Sequence, residues 1–383
     1  MNKNEKEYFY CLYNEKFSNK YEIKNKIKKT YEQNLPYSNV NSSINISLNF
    51  NFKYEYQRYD SMLSYKEYDK LFYNIQNLHT KTIFTNCGMS AIYSLLLSFK
   101  MFGNYNFVKE KDIYFETNKL LKLLKLNKGK KIYYYDTISN NYHFDINKQN
   151  KIIIIDTTCY HSHDFTGCIN KLINNSNIVI LVRSHIKLDM LGLEYSSLGS
   201  VSYIIPDKIS FKRFDDIKKI IKNNLEIAGN IGMLATENNI FPLLNDAKLI
   251  RLNKERIRRI NHNNDIFYAE NKKIDTLKSH KHKLFTTLIV EEKDTTRLID
   301  FVKEKAVNSK GLFFYSPSFG FDYIAVDTYY DALSKNNTIR ISIGDVSIQV
   351  IKEFSKYFRR EIYDCFFGRF HFAVCKYENR LLC

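Results

Sequence analysis

Two short, almost purely aliphatic runs constrain this chain most: Lys-Ile-Ile-Ile-Ile-Asp at 151–156 and Asn-Ile-Val-Ile-Leu-Val at 177–182. A strand with one wet face alternates apolar and polar residues, whereas a strand that is apolar at every position must be covered on both faces. Similar runs occur at 82–86 (Thr-Ile-Phe-Thr-Asn), 131–136 (Lys-Ile-Tyr-Tyr-Tyr-Asp) and 200–205 (Ser-Val-Ser-Tyr-Ile-Ile), and they alternate with helix-like segments at 90–99 and 214–225. Over residues 61–255 this alternation predicts an α/β domain with a mainly parallel sheet under helices. A long basic helix is expected around 246–263. After it the pattern changes to strand-like runs at 285–292 and 338–344 and helix-like ones at 296–307 and 350–362, which predicts a smaller α+β domain over 256–383. Residues 1–60, polar and rich in Asn and Lys, read as an N-terminal arm with one basic helix at 20–34 and an alternating stretch after it.

A chain of 383 residues with 44% apolar content can bury a large core and is not a disordered polymer. The net charge of +17 raises the question of nucleic acid. The basic residues are dispersed among Asn, Ile and Tyr, so they read as a solvated surface, and nucleic acid is not the expected partner. Seven cysteines, at 11, 87, 159, 168, 365, 375 and 383, form no Cys-x-x-Cys pair. That fits reduced thiols in a cytoplasm better than a disulfide framework or a zinc site. The start has no apolar core of a leader, and no run approaches the roughly 20 apolar residues of a membrane span. No metal site is expected: Cys159, His161, His163 and Asp164 have ligand chemistry without ligand spacing. They read as a loop beside a ligand, and His280 and His282 as surface residues.

Three segments carry chemistry. Residues 82–100 read as strand, turn and helix, where Gly88 lets the backbone approach a ligand and the amides of 88–91 suit a phosphate dianion. Asp156 ends its strand, and ligands of open α/β sheets collect at the carboxyl ends of strands. Lys187 follows the 177–182 run and is a candidate imine-forming lysine. Alone, each has a plain reading: a tight turn, a helix-capping aspartate, a solvent-exposed lysine. Together they are the parts needed to hold pyridoxal phosphate: an imine lysine, an acid for the ring nitrogen and a helix start for the phosphate.

In this order the segments resemble the Cys/Met-metabolism family of pyridoxal phosphate enzymes, which includes cystathionine γ-synthase, the cystathionine lyases and methionine γ-lyase. The family's Ser-Gly-Met-Ala-Ala-Ile phosphate loop is similar to Cys87-Gly88-Met89-Ser90-Ala91-Ile92. Its Tyr-Gly-Gly-Thr, whose tyrosine stacks on the cofactor ring, resembles Tyr114-Phe115-Glu116-Thr117. Its Asp-Asn-Thr resembles Asp156-Thr157-Thr158, and its Ser-x-Thr-Lys resembles Ser184-His185-Ile186-Lys187. Outside the core, Tyr56-Gln57-Arg58 is similar to the Tyr-x-Arg that reaches the phosphate of a neighbouring subunit. Ser318-Phe319-Gly320 is similar to the Ser-Leu-Gly near the substrate. Arg340-Ile341-Ser342-Ile343-Gly344 is similar to the Arg-Leu-Ser-Val-Gly whose arginine clamps the substrate carboxylate.

The resemblance implies the aspartate aminotransferase-like fold, fold type I, and a homodimer or tetramer with shared active sites. Lys187 and Tyr114 would be catalytic. Gly88, Met89, Tyr114, Asp156, Thr158, Ser184, Lys187, Tyr56 and Arg58 would hold the cofactor, while Arg340 and Ser318 would hold an amino-acid substrate, Arg340 in a bidentate grip. The implied reaction is β- or γ-elimination or replacement, with a specialised biosynthetic branch as one form of it. An aminotransferase on the same fold is the alternative reaction, and a non-catalytic protein with a basic surface the alternative of another class. Several positions depart from the family. Its Glu-x-Pro-Thr-Asn-Pro segment is missing, with residues 131–145 roughly in its place; Ile186 replaces a threonine, Phe321 replaces a glycine, and residues 188–200 do not follow the usual continuation.

Overall fold

The computed structural model describes residues 18–26, 43–46, 50–53, 63–65, 68, 72–75, 79–109, 113–138, 145–236, 239, 241, 244, 246–271, 280–290, 294–331 and 336–362. The chain divides into two compact units, 20–255 and 256–383 with residues 1–19. In the N-terminal region, 18–26 is helical, and β1 (Ser43–Ile46), β2 (Phe50–Lys53) and β3 (Leu63–Tyr65) form an antiparallel sheet in sequence order.

The larger unit is built on six strands: β4 (His79–Thr85), β5 (Tyr105–Lys109), β6 (Lys130–Asp136), β7 (Ile152–Asp156), β8 (Ile178–Ser184) and β9 (Gly199–Ile205). Their order across the sheet is β4-β9-β8-β7-β6-β5. Strands β5 to β8 are parallel neighbours, and β9 runs antiparallel to both β8 and β4. The sheet is therefore mainly parallel, as the apolar runs predict, with one reversed strand. Ile153, Ile154 and Ile155 of β7 have no exposed surface, and each such side chain contributes about 1.5–3 kcal/mol by burial.

One face of the sheet is covered by α1 (Gly88–Phe102), whose Ala91, Leu95, Leu96 and Phe99 join Ile154, Ile180, Val182 and Val201 in one core. Helix α2 (Phe115–Leu124) adds Leu121 to that core. Helix α3 (Thr166–Asn174) buries Ile169, Leu172 and Ile173. Helix α4 (Phe211–Asn230) adds Ile217, Ile220 and Ala228 to the core of α1. The path from β4 through α1 to β5 carries the chain from one edge of the sheet to the other. The next three strands step back inward, so the loops after β6, β7 and β8 lie side by side at one end of the sheet.

The boundary between the units falls inside α5 (Ala247–Asn271), the long basic helix expected from the sequence. In the smaller unit, β10 (His280–Lys281), β11 (Thr286–Val290), β12 (Phe314–Tyr315), β13 (Ala325–Asp331) and β14 (Asn336–Ser342) form a sheet of order β10-β11-β14-β13-β12. Helices α6 (Thr295–Asn308) and α7 (Ile348–Tyr357) contribute Leu298, Val302, Ile351 and Phe354 to its core. His282 is not a surface residue: it is 1% exposed and stacks on Phe285 at 4.3 Å. Its charge-bearing neighbours in the sequence hid that aromatic pairing. Among the described residues no helix is long and apolar enough to cross a membrane.

Gly199 fixes how closely β9 approaches the start of α1. A Cβ there would lie 2.2 Å from the Cys87 carbonyl oxygen and 2.7 Å from the Gly88 nitrogen. These are backbone atoms and cannot rotate aside, so Gly199→Ala is expected to destabilise the chain by about 1–3 kcal/mol through overpacking. Urea unfolding measures this; a midpoint equal to wild type would show that β9 and α1 can separate freely.

Candidate active site

The site begins at the carboxyl ends of β6 and β7. Asp136 and Asp156 are paired across the two strands, so their side chains fall on the same face. Both are buried. Asp136 Oδ2 accepts from the Tyr114 amide at 2.8 Å and its Oδ1 from the Ile138 amide at 2.9 Å. Asp136 therefore anchors the first residue of the α2 entry, Tyr114, beside the Asp156 strand. Asp156 Oδ1 accepts from the Thr158 amide at 2.9 Å. Burial pushes the Asp156 carboxyl above the usual range, opposed by its Thr158 hydrogen bonds and by the nearby Arg183 and Lys187 charges. Burial, reinforced by the charges of Asp136 and Asp156, also pushes the Cys159 thiol well up, so it stays protonated.

Thr158 links this corner to β8, because its Oγ1 accepts from the Ser184 amide at 3.0 Å. Ser184 meets the start of α1: a Cβ on Gly88 would sit 2.6 Å from Ser184 Cβ. Only glycine permits that approach. First-turn helix amides have no intrahelical acceptor. The Ser90 amide is capped by Cys87 Sγ at 3.4 Å, and Gly88 and Met89 open the helix where it meets the β8 end. Gly88, Asp156, Thr158 and Ser184, distant in sequence, thus form one contiguous wall.

Lys187 lies half-buried in the turn 185–190 that follows β8. This turn is fastened from below. Asp189 receives Arg183 Nε and Nη2, each at 2.6 Å, and His185 Nδ1 at 2.8 Å. The Asp189 amide donates to the His185 carbonyl at 3.1 Å. On its other side His185 Nε2 contacts Ser200 Oγ at 2.9 Å and Tyr68 OH at 3.3 Å. Arg183 also donates to the Thr157 carbonyl and, at 2.9 Å, to the Tyr160 carbonyl. Burial alone would raise the Asp189 carboxyl, but the Arg183 charge and the bonds from Arg183 and His185 hold it down to about 2. Burial keeps His185 below its ordinary value and so neutral, although Asp189 opposes this.

The pattern reading overlooked Arg183, Asp189, His185 and Asp136. One signal was present: a charged Arg183 ends an otherwise apolar strand, and a buried guanidinium requires a carboxylate close by. Asp189, six residues on, supplies it.

In the smaller unit, Arg340 is buried and donates through Nη2 to Asp327 Oδ2 at 2.8 Å and to the Pro317 carbonyl at 2.9 Å. Arg340 and the segment containing Ser318 are thereby brought together. Tyr56 and Arg58 lie outside the described residues. His161 Nε2 contacts the Ile250 carbonyl at 3.1 Å, and burial lowers its pKa to about 4. Among the described residues no group of three or more His, Cys, Asp or Glu side chains could hold a metal.

Cytoplasmic aspartate aminotransferase from Giardia lamblia is similar in structure, with a TM-score of 0.54 over 91% of this chain and 87% of that one, at 10% identity. The chain therefore has the aspartate aminotransferase-like fold, fold type I. Cystathionine gamma synthase from Xanthomonas oryzae pv. oryzae aligns with a TM-score of 0.49 over 73% of this chain and 82% of that one, at 13% identity. No family model matches the sequence, and no curated protein matches it.

Asp189→Asn leaves Arg183 buried opposite a neutral amide, and is expected to cost about 3–5 kcal/mol at pH 7. Because the folded pKa of Asp189 is depressed, its contribution is complete above the ordinary carboxylate range and is lost as pH falls through about 2. The gap between wild type and variant should therefore narrow below about pH 4. Urea unfolding at pH 7 and pH 2.5 reads both values; equal midpoints at pH 7 would mean the pair is dispensable.

Proposed function

We infer that this protein is a pyridoxal phosphate-dependent enzyme acting on an amino acid, by β- or γ-elimination or replacement. The observation that carries the reading is the wall described above. A buried carboxylate, the Gly88 helix start, Thr158 and Ser184 converge beside the turn of Lys187 from three segments that are far apart in sequence. The residues fit the group. Two first-turn amides and the Ser184 hydroxyl suit a phosphate, and Asp156, buried and braced by Thr158, suits a protonated pyridine nitrogen.

In this reading Lys187 would hold the cofactor covalently, and its amine would carry the α-proton as general base. Bound there, pyridoxal phosphate supplies an electron sink for the carbanion that proton removal creates. Asp156 keeps the ring nitrogen protonated. Tyr114, with its backbone fixed by Asp136, covers the ring. Arg340 and Ser318 receive the carboxyl end of the substrate. Tyr56 and Arg58 would reach the phosphate of a neighbouring subunit, so the working form would be a homo-oligomer, and the lack of any Cys-x-x-Cys pair supports a cytoplasmic protein. The order of motifs supports elimination or replacement over transamination.

Purified protein with added pyridoxal phosphate should develop a visible absorption band that borohydride fixes onto the Lys187 peptide. Lys187→Ala should lose both the covalent link and turnover; full activity in that variant would overturn the assignment. Conversion of the cofactor to its amine form during turnover would mean transamination instead.

Asp156 separates a functional role from a structural one. Its folded pKa lies above its unfolded value, so the folded state binds the proton more tightly, and stability falls as pH rises from the ordinary carboxylate range through the raised folded value. Without cofactor, Asp156→Asn should therefore melt higher than wild type at pH 7, with the difference closing near pH 4 and below. The same variant should bind pyridoxal phosphate more weakly. A lower melting point at pH 7 would show that the ionised carboxylate serves the fold.

A further inference from the structure

Arg340 already holds a carboxylate. It stands on β14 directly opposite Asp327 on β13. Its hydrogen bonds run through one nitrogen, Nη2, to Asp327 Oδ2 at 2.8 Å and to the Pro317 carbonyl at 2.9 Å. A guanidinium offers two forks for a carboxylate, Nε with Nη2 and Nη1 with Nη2, and each fork needs one N–H of Nη2. With both N–H groups of Nη2 in use, neither fork is complete. What remains is the Nη1 group and a buried Nε without a partner. These donors lie on opposite sides of the group and cannot share the two oxygens of one carboxylate.

Charge leads to the same result. Asp327 neutralises Arg340, and both are about nine-tenths buried. A substrate carboxylate would meet a like charge competing for one cation. It would also enter apolar surroundings, since the Arg340 guanidinium carbon lies 5.7, 5.5 and 5.8 Å from the ring centres of Phe285, Phe319 and Tyr329. A charge without its own partner is expensive there. Asp327 is not placed to swing away: it is set across the strand pair, and its Oδ1 accepts from the Thr328 amide at 2.8 Å.

We propose that Arg340 reads a neutral acceptor, so that the substrate is an amino acid whose carboxyl group is blocked as an amide or ester. A single carbonyl oxygen needs one donor, and Nη1 supplies it without displacing Asp327. This inference rests on the reading that Arg340 receives the carboxyl end of the substrate.

The test uses the full chain loaded with pyridoxal phosphate and titrated with L-methionine, L-methioninamide and L-methionine methyl ester. The shift of the cofactor's visible absorption gives each dissociation constant. Wild type should bind the amide and the ester at least tenfold more tightly than the acid. Asp327→Asn, which frees the Arg340 charge, should move the acid-to-amide ratio at least tenfold toward the acid. Comparing the ratio between the two proteins cancels the differing basicity of the probes' own amines. Tighter binding of the acid by wild type, or a ratio that Asp327→Asn changes less than twofold, would overturn the proposal. Should the variant fail to fold, the wild-type preference is compared with imine formation by the same probes and free pyridoxal phosphate in solution, which cancels the same basicity. Absence of any lysine-linked cofactor band would instead bring down the cofactor reading and this inference with it, whereas a normal band with the acid preferred would remove this inference alone.

Discussion

The ion pair of Arg183 with Asp189 is the interaction on which the rest of the site depends. Taking two charges out of water costs several kcal/mol per ion, and their attraction offsets this only when the remaining donors and acceptors are satisfied. Here they are. Arg183 meets both carboxylate oxygens of Asp189 and two backbone carbonyls, and Asp189 adds the His185 ring. An apolar pair of the same volume could stabilise the fold as well, but it would not fix directions. The hydrogen bonds do: the Thr157 and Tyr160 carbonyls belong to the loop after Asp156, and Asp189 and His185 flank Lys187 at two residues on either side. One buried pair thus ties together the two loops that carry the residues of the proposed site.

Close backbone contact supplies the other half of that precision. Gly88 lets α1 touch the end of β8, and Gly199 lets β9 lie against the same helix start. Neither residue brings chemistry of its own. Each removes a side chain so that amides and hydroxyls at three element ends come within reach of one ligand. The sheet order makes this available, because the return of β6, β7 and β8 from the far edge sets their carboxyl ends side by side. The cost is electrostatic: Asp136 and Asp156 are neighbours in register, buried on one face. Asp136 is served by two amides; Asp156, with the amide and the side chain of Thr158 and with a nearby lysine and arginine, still keeps a raised pKa because burial outweighs them. The carboxylate whose pKa burial raises is the one proposed for the cofactor, as expected of a group whose charged partner arrives with the ligand.

How much of this the sequence revealed follows from the range of each interaction. The continuous apolar runs state that β7 and β8 are covered on both faces, because burial on two sides leaves no polar position. Gly88, Asp156 and Lys187 were legible because each stands at the end of such a run, where a change in local pattern marks an element boundary. Asp136 could have been read by the same rule, since it closes the run 131–136. It is hard to read because the segment 131–145 departs from the family pattern that would assign it a role. The reversed direction of β9 left no mark, as a fully buried strand has the same composition in either direction. His282 was misplaced because its sequence neighbours are polar while its packing partner, Phe285, completes a tight turn into β11.

Asp327 was the least legible residue, and the reason is physical. Its partner lies across a hairpin, and cross-strand register depends on where the strands pair, which composition does not encode. Arg340 alone reads as a clamp for carboxylate; Arg340 with Asp327 reads as a clamp already closed. The same chemical pair has opposite consequences at the two places where it occurs. Arg183 uses all three nitrogens of its guanidinium, through four of the five N–H groups, so the pair serves as a fastening. Arg340 and Asp327 leave a buried Nε without a partner and Nη1 outside both bonds. A buried guanidinium held short of acceptors gains little for the fold, which argues that the donors are kept for a ligand. What that ligand can be follows from the charge Asp327 has already cancelled.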